Sequence, residues 1–130
     1  MDFTTAILCI GLISITMLVI EVNYTYATQG TAYGWSAKRP SVEISPLGQR
    51  IKNAYSNQVE SISYTLPALA GGAIMDIDHA GAHAAALIIV LGRAIFGPLY
   101  YSGVPYGHLV GFGMGTVGSI YLYIILFMSL

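Results

Sequence analysis

Arg50, Asn53, Asn57, Glu60 and Tyr64 follow one another at spacings of three, four, three and four residues. Such spacing gathers side chains on one face of an α-helix. A guanidinium, two amides, a carboxylate and a phenol in one line could hold a polar or anionic ligand through charge-assisted hydrogen bonds. The same line could instead be an interhelical network that fixes packing. A second line, His79, His83, Ala86, Val90, Arg93, Gly97 and Tyr100, shares a helical face further along the chain. Arg93 is the only Lys or Arg of that segment and Glu60 the only acid of the first, so a salt bridge between them is expected. His108, just beyond "SGVP", is either an interfacial residue or a proton donor.

The elements that position these residues follow from composition. Of 130 residues, 55% are hydrophobic and 8% charged. A soluble domain carries about 25% charged residues, so this chain cannot solvate a globular surface and reads as an integral membrane protein. Each spanning helix needs ~20 apolar residues. The expectation is an all-α membrane four-helix bundle in a single domain over residues 1–130, with helices at about 3–26, 48–75, 80–101 and 105–129. Asp2 and the lack of a basic N-terminal region predict that the first apolar run stays as a helix.

A net charge of -1 gives no sign of nucleic-acid binding. The single cysteine, Cys9, excludes an intrachain disulfide framework and reads as an inert thiol in an apolar run. In "DIDHAGAH", His79 and His83 stand one helical turn apart beside Asp76 and Asp78. That spacing can chelate zinc, but it fixes no third ligand. The two aspartates equally suit a helix N-terminus, and no metal is expected.

Residues 29–47, with their glycines, prolines and charges, read as a loop outside the hydrocarbon. Lys38, Arg39, Arg50 and Lys52 cluster around it. The excess of Lys and Arg places this loop in the cytoplasm or its equivalent and both termini on the opposite side. The membrane itself would be a bacterial inner membrane or an organelle membrane. A charged side chain at the bilayer centre costs roughly 2.5–3.5 kcal/mol on the insertion scale. The polar line must therefore face other helices, a water-filled cleft or a neighbouring subunit. Gly107, Gly111, Gly115 and Gly118 form a small-residue stripe that predicts close helix packing. Pro105 is expected in the first turn of the last helix.

Several motifs resemble the MAPEG superfamily, membrane-associated proteins in eicosanoid and glutathione metabolism. "RIKNAYSNQVESISYTLP" supplies Arg50, Ala54, Asn57, Glu60 and Pro67 in the family's order. "YGWSAKRP" in the first loop, and "GRAIFGPLYYSGVP" with Arg93, Tyr100, Tyr101, Gly103 and Pro105, are similar to the bacterial-type branch. The resemblance implies a trimer that holds glutathione between subunits near the cytoplasmic side. Asn57 and Glu60 would bind the polar backbone of the tripeptide. Arg50 and Arg93 would meet its carboxylates or shape the site, and Tyr100 would hydrogen-bond to it. Asn53 and Tyr64, on the same line, would complete the binding face.

Two departures from the family pattern touch charge. Asn53 stands where an arginine is expected before Ala54, and His108 stands where an arginine often follows the proline. The resemblance thus leads to two functions. One is a glutathione transferase or peroxidase acting on lipophilic substrates from the bilayer, with Arg93 or His108 assisting the thiolate. The other is a non-catalytic accessory or scaffold subunit of a larger membrane complex.

Overall fold

A computed structural model describes residues 1–38 and 42–130. Arg39, part of the basic cluster expected around the first loop, lies outside the described residues. The order is α1 (Phe3–Gln29), α2 (Thr31–Trp35), α3 (Pro46–Ile74), α4 (Ala80–Ser102) and α5 (Gly107–Met128). Among the described residues every regular element is a helix. Three of them, α1, α4 and α5, are long and apolar enough to cross a membrane. The longest helix, α3, carries the polar line and does not reach that apolarity.

Local chemistry sets the helix ends. The Asp2 carboxylate accepts a 2.8 Å hydrogen bond from the Thr5 N–H and caps α1. That bond holds the Asp2 carboxyl below its ordinary range. Gly30, at φ 83°, ends the helix with backbone that a side chain would disfavour. The expected continuous loop then starts with a short helix, α2, because Gly30 lets the chain turn and helix formation resume at Thr31. Ser45 caps α3 by accepting from Gly48 N–H at 3.1 Å, and Pro46 occupies the first turn, where its missing donor costs nothing.

Two expected caps are corrected. The N-cap of α4 is His79, whose Nδ1 accepts from Gly81 N–H at 3.1 Å, and not Asp76 or Asp78. Asp76 instead forms part of the preceding turn at φ 50°. Before α5, Tyr106 adopts φ 62° and the helix starts at Gly107. Pro105 therefore precedes the helix and does not lie in its first turn.

The most extensive packing is between α4 and α5, followed by α1 against α3. Gly111, Gly115 and Gly118 face α4. A Cβ on Gly111 would lie 2.6 Å from the Gly92 carbonyl oxygen and 2.9 Å from Phe96 Cα, so these two backbones touch. At Gly107, the first member of the stripe, a Cβ would meet the side chains of Val104 at 3.4 Å and Leu99 at 3.9 Å, an ordinary contact distance. The main core joins Phe3, Ile10, Leu69, Ile89 and Leu122 around the small residues Ala82, Ala85 and Ala86. A smaller cluster of Met17, Ala54 and Phe96 lies toward the other end of the helices.

Candidate functional site

The polar line of α3 divides into two groups of residues. Asn53, Asn57 and Glu60 line an open cleft of about 400 Å³ together with Ser56. Its opposite wall is Phe96 and Tyr100 of α4 and His108, Leu109 and Phe112 of α5. Five of the residues singled out in the sequence thus meet in one cleft: Asn53, Asn57, Glu60, Tyr100 and His108. Arg50 and Tyr64 do not line it.

Arg50 donates from Nε to the Tyr101 carbonyl at 3.1 Å, and its guanidinium packs on Gly103, the left-handed C-cap of α4. A carbonyl in the last turn lacks an intrahelical donor, and a cation there also suits the helix dipole. Tyr64 shares a hydrogen bond of 3.3 Å with Thr116, while its carbonyl accepts from the Tyr123 hydroxyl at 3.0 Å. Tyr64 therefore ties α3 to α5.

Arg93 is fully buried. Its Nε donates to Gln58 Oε1 at 2.8 Å, and both terminal nitrogens donate to Asn57 Oδ1 at 3.2 Å. Its Cζ lies 4.3 Å from the Phe96 ring centroid, a cation–π contact. The expected Glu60–Arg93 salt bridge is absent. His83 Nε2 lies 3.6 Å from an Asp78 carboxylate oxygen. Glu60 is exposed and accepts a 3.4 Å bond from Ser56 Oγ. The physical reason lies in the helix register: Asn57 and Gln58 occupy the face of α3 turned toward α4, and Glu60 points into the open side.

Gln58 is the partner that spacing did not single out. It is fully buried, and its Nε2 donates to Ser14 Oγ of α1 at 2.9 Å. The available signal was its type: a glutamine in mid-helix, flanked by residues of a membrane protein, needs partners for both ends of its amide. Phe96, Leu109 and Phe112 were also missed, since apolar wall residues look like any other lipid-facing or core residue.

The aromatic wall is continuous. Tyr100 and His108 have ring centroids 4.6 Å apart, Phe96 and Tyr100 5.4 Å, and Phe96 and His108 6.3 Å in an edge-on arrangement. Thus an imidazole and a phenol stand across the cleft from two amides and a carboxylate. Such a site can bind a zwitterion: Glu60 suits an ammonium, the amides suit carboxylate or peptide groups, and the imidazole can take a proton. Arg93 touches Asn57 and Phe96 but does not line the cleft.

The histidine motif takes another course. His83 Nδ1 lies 3.1 Å from the Met1 carbonyl, and its ring stacks on Phe3 at 5.1 Å. Among the described residues no group of three His, Cys, Asp or Glu side chains could hold a metal ion.

No curated protein and no solved structure matches the chain. A family model, that of the MAPEG family, matches residues 3–128, nearly the whole length. With three helices suited to crossing a bilayer, the chain belongs to the MAPEG family of membrane proteins.

Proposed function

We propose that the cleft binds glutathione and that the chain is a glutathione-dependent transferase or peroxidase acting on lipophilic substrates. The observation that carries this reading is the convergence of Asn53, Asn57, Glu60, Tyr100 and His108 on one cleft of about 400 Å³. Glu60 would receive the ammonium of the tripeptide. Asn53 and Asn57 would donate to its carboxylate or peptide oxygens, and the Tyr100 hydroxyl would add a further bond. His108 would accept the thiol proton and leave a thiolate, the nucleophilic form. The thiolate then attacks an electrophilic carbon and displaces its leaving group, or attacks the terminal oxygen of a hydroperoxide from the bilayer. In the second case the O–O bond breaks, and the sulfur becomes a sulfenic acid that a second glutathione converts to disulfide and water. The departing group or alkoxide takes the proton held by His108.

The same reading accounts for the exposed polar side chains Asn53, Ser56, Glu60 and Ser63 on α3. In a bilayer such groups need polar cover. Two further copies of the chain in a trimer would supply it, with α1, α3, α4 and α5 as a four-helix bundle in each copy. The basic side of the bundle would face the cytoplasm.

A second reading, a non-catalytic accessory subunit, is favoured by one observation: among the described residues no guanidinium lines the cleft, since Arg50 caps α4 and Arg93 is buried. Titration of glutathione into the detergent-solubilised protein, followed by thiolate absorbance in the ultraviolet, separates the two. A saturable thiolate signal that is lost in Glu60→Ala supports the enzyme. Saturation that never develops at millimolar glutathione overturns it in favour of the accessory subunit.

A further inference from the structure

Arginine has five N–H donors and no acceptor. The Asn57 atom that meets both terminal nitrogens of Arg93 at 3.2 Å must therefore be Oδ1. The amide nitrogen is then the other branch of the side chain, and Asn57 lines the cleft. Asparagine alone could present either its oxygen or its nitrogen to a ligand. Here the choice is removed by a donor-only partner behind it.

Arg93 is itself held. Its Nε is fixed by Gln58 Oε1 at 2.8 Å, and the Gln58 amide nitrogen is fixed by Ser14 Oγ at 2.9 Å. Ser14 in turn donates to the Ile10 carbonyl at 2.8 Å, so the relay ends on the backbone of α1. Every polar group along it has a directional partner. Gly115 lets the relay fit, since a Cβ there would come 3.0 Å from Arg93 Cδ.

We infer that Arg93, anchored by Gln58, is a positioning residue that fixes Asn57 with its two Nδ2 donors toward the cleft. Arg93 has no exposed surface and does not touch a ligand in the cleft. Its effect passes through Asn57. The cleft is thereby polarised, with donors at Asn57 and an acceptor carboxylate one turn on at Glu60. That order matches a ligand that carries a carboxylate or peptide oxygen next to an ammonium. Only the identity of that ligand rests on the glutathione reading; the orientation of Asn57 does not.

Relaxation of the Asn57 side-chain amide in ¹⁵N-labelled protein tests the positioning with no ligand present. In the parent an order parameter near that of rigid backbone, about 0.85, is expected, falling below about 0.6 in Arg93→Met. Should Arg93→Met fail to fold, Gln58→Met loosens the anchor and is read the same way. A mobile Asn57 amide in the parent, or one that stays rigid in whichever variant folds, overturns the inference.

Glutathione binding adds a second arm. Asn57→Asp keeps an oxygen for Arg93 but turns an acceptor toward the cleft, so at least tenfold weaker binding is expected at an unchanged melting temperature. Combined with Asn57→Ala, Arg93→Met is expected to weaken binding no further; a further tenfold loss would mean that Arg93 acts on the ligand by another route and would overturn the inference. Absence of glutathione binding in the parent would remove the proposed function alone, because the relaxation comparison still decides the orientation of Asn57.

Discussion

Gly92 of α4 and Gly111 of α5 pack backbone against backbone, close enough that a Cβ on either would come within 2.8 Å of the other's carbonyl oxygen. This contact holds the two helices that carry Phe96, Tyr100 and His108, so it sets the width of the aromatic wall. Small residues allow such approach in a bilayer, where packing rather than water drives helices together.

The contact makes Gly111→Ala a sharp test. The methyl would strike backbone, which cannot rotate away, and a loss of about 2–3 kcal/mol is expected. Gly113, two residues on, has nothing within 4 Å of its added Cβ. Gly113→Ala should be neutral or gain up to about 1 kcal/mol from helix propensity. Unfolding of both variants in mixed micelles measures the contrast. Equal stabilities would mean that α4 and α5 are not this close.

Gln58→Leu should cost about 2–3 kcal/mol, since it leaves the buried Arg93 Nε without its acceptor and takes from Ser14 Oγ the donor it accepts from. Ser56→Ala, exposed on the same helix, should stay within about 0.5 kcal/mol of the parent. The same unfolding assay reads both. A harmless Gln58→Leu would show that the relay contributes nothing to stability.

The helices were legible because long apolar runs and spacing of three and four residues leave few alternatives. The polar line of α3 was legible for the same reason, and three of its members reach the cleft. Spacing could not show which neighbour each one meets. Arg93 and Glu60 have complementary charges, yet Arg93 turns to the neutral amides of Gln58 and Asn57, two and three residues before Glu60. A difference of one or two positions rotates a side chain by 100–200° around a helix, and charge matching along a sequence cannot resolve that. The cap of α4 and the start of α5 were misread because the chain before them turns on single residues with positive φ, Asp76 and Tyr106, whose types do not demand it.

Acid should loosen the start of α1. The Thr5 N–H bond lowers the Asp2 carboxyl from its ordinary value of 3.8. A group with a depressed folded value adds stability that is fully present above the unfolded value and is lost as pH falls through the folded one. The cap should thus persist at pH 5 and weaken below 3.8. The Thr5 amide shift, followed through an acid titration, should move with a midpoint below that value. In Asp2→Asn the amide should still be capped but should lose this titration. A midpoint at or above the ordinary value would contradict the cap.

His108 offers the most direct test of the chemistry proposed for the cleft. Its ring packs on Tyr100 at 4.6 Å and stands edge-on to Phe96. His108→Phe keeps an aromatic ring at this place and removes the proton acceptor. Glutathione affinity should change by less than threefold while the thiolate absorbance disappears. His108→Arg supplies a permanent cation to the cleft, whose charge-assisted bonds to an anion are stronger than neutral ones. It should bind glutathione about tenfold more tightly, a gain of roughly 1.4 kcal/mol, and should raise the thiolate fraction. If the thiolate signal survives in His108→Phe, the proton leaves by another route. If His108→Arg binds no better than the parent, the imidazole does not border the anionic part of the ligand, and the placement of the tripeptide in this cleft must be reversed.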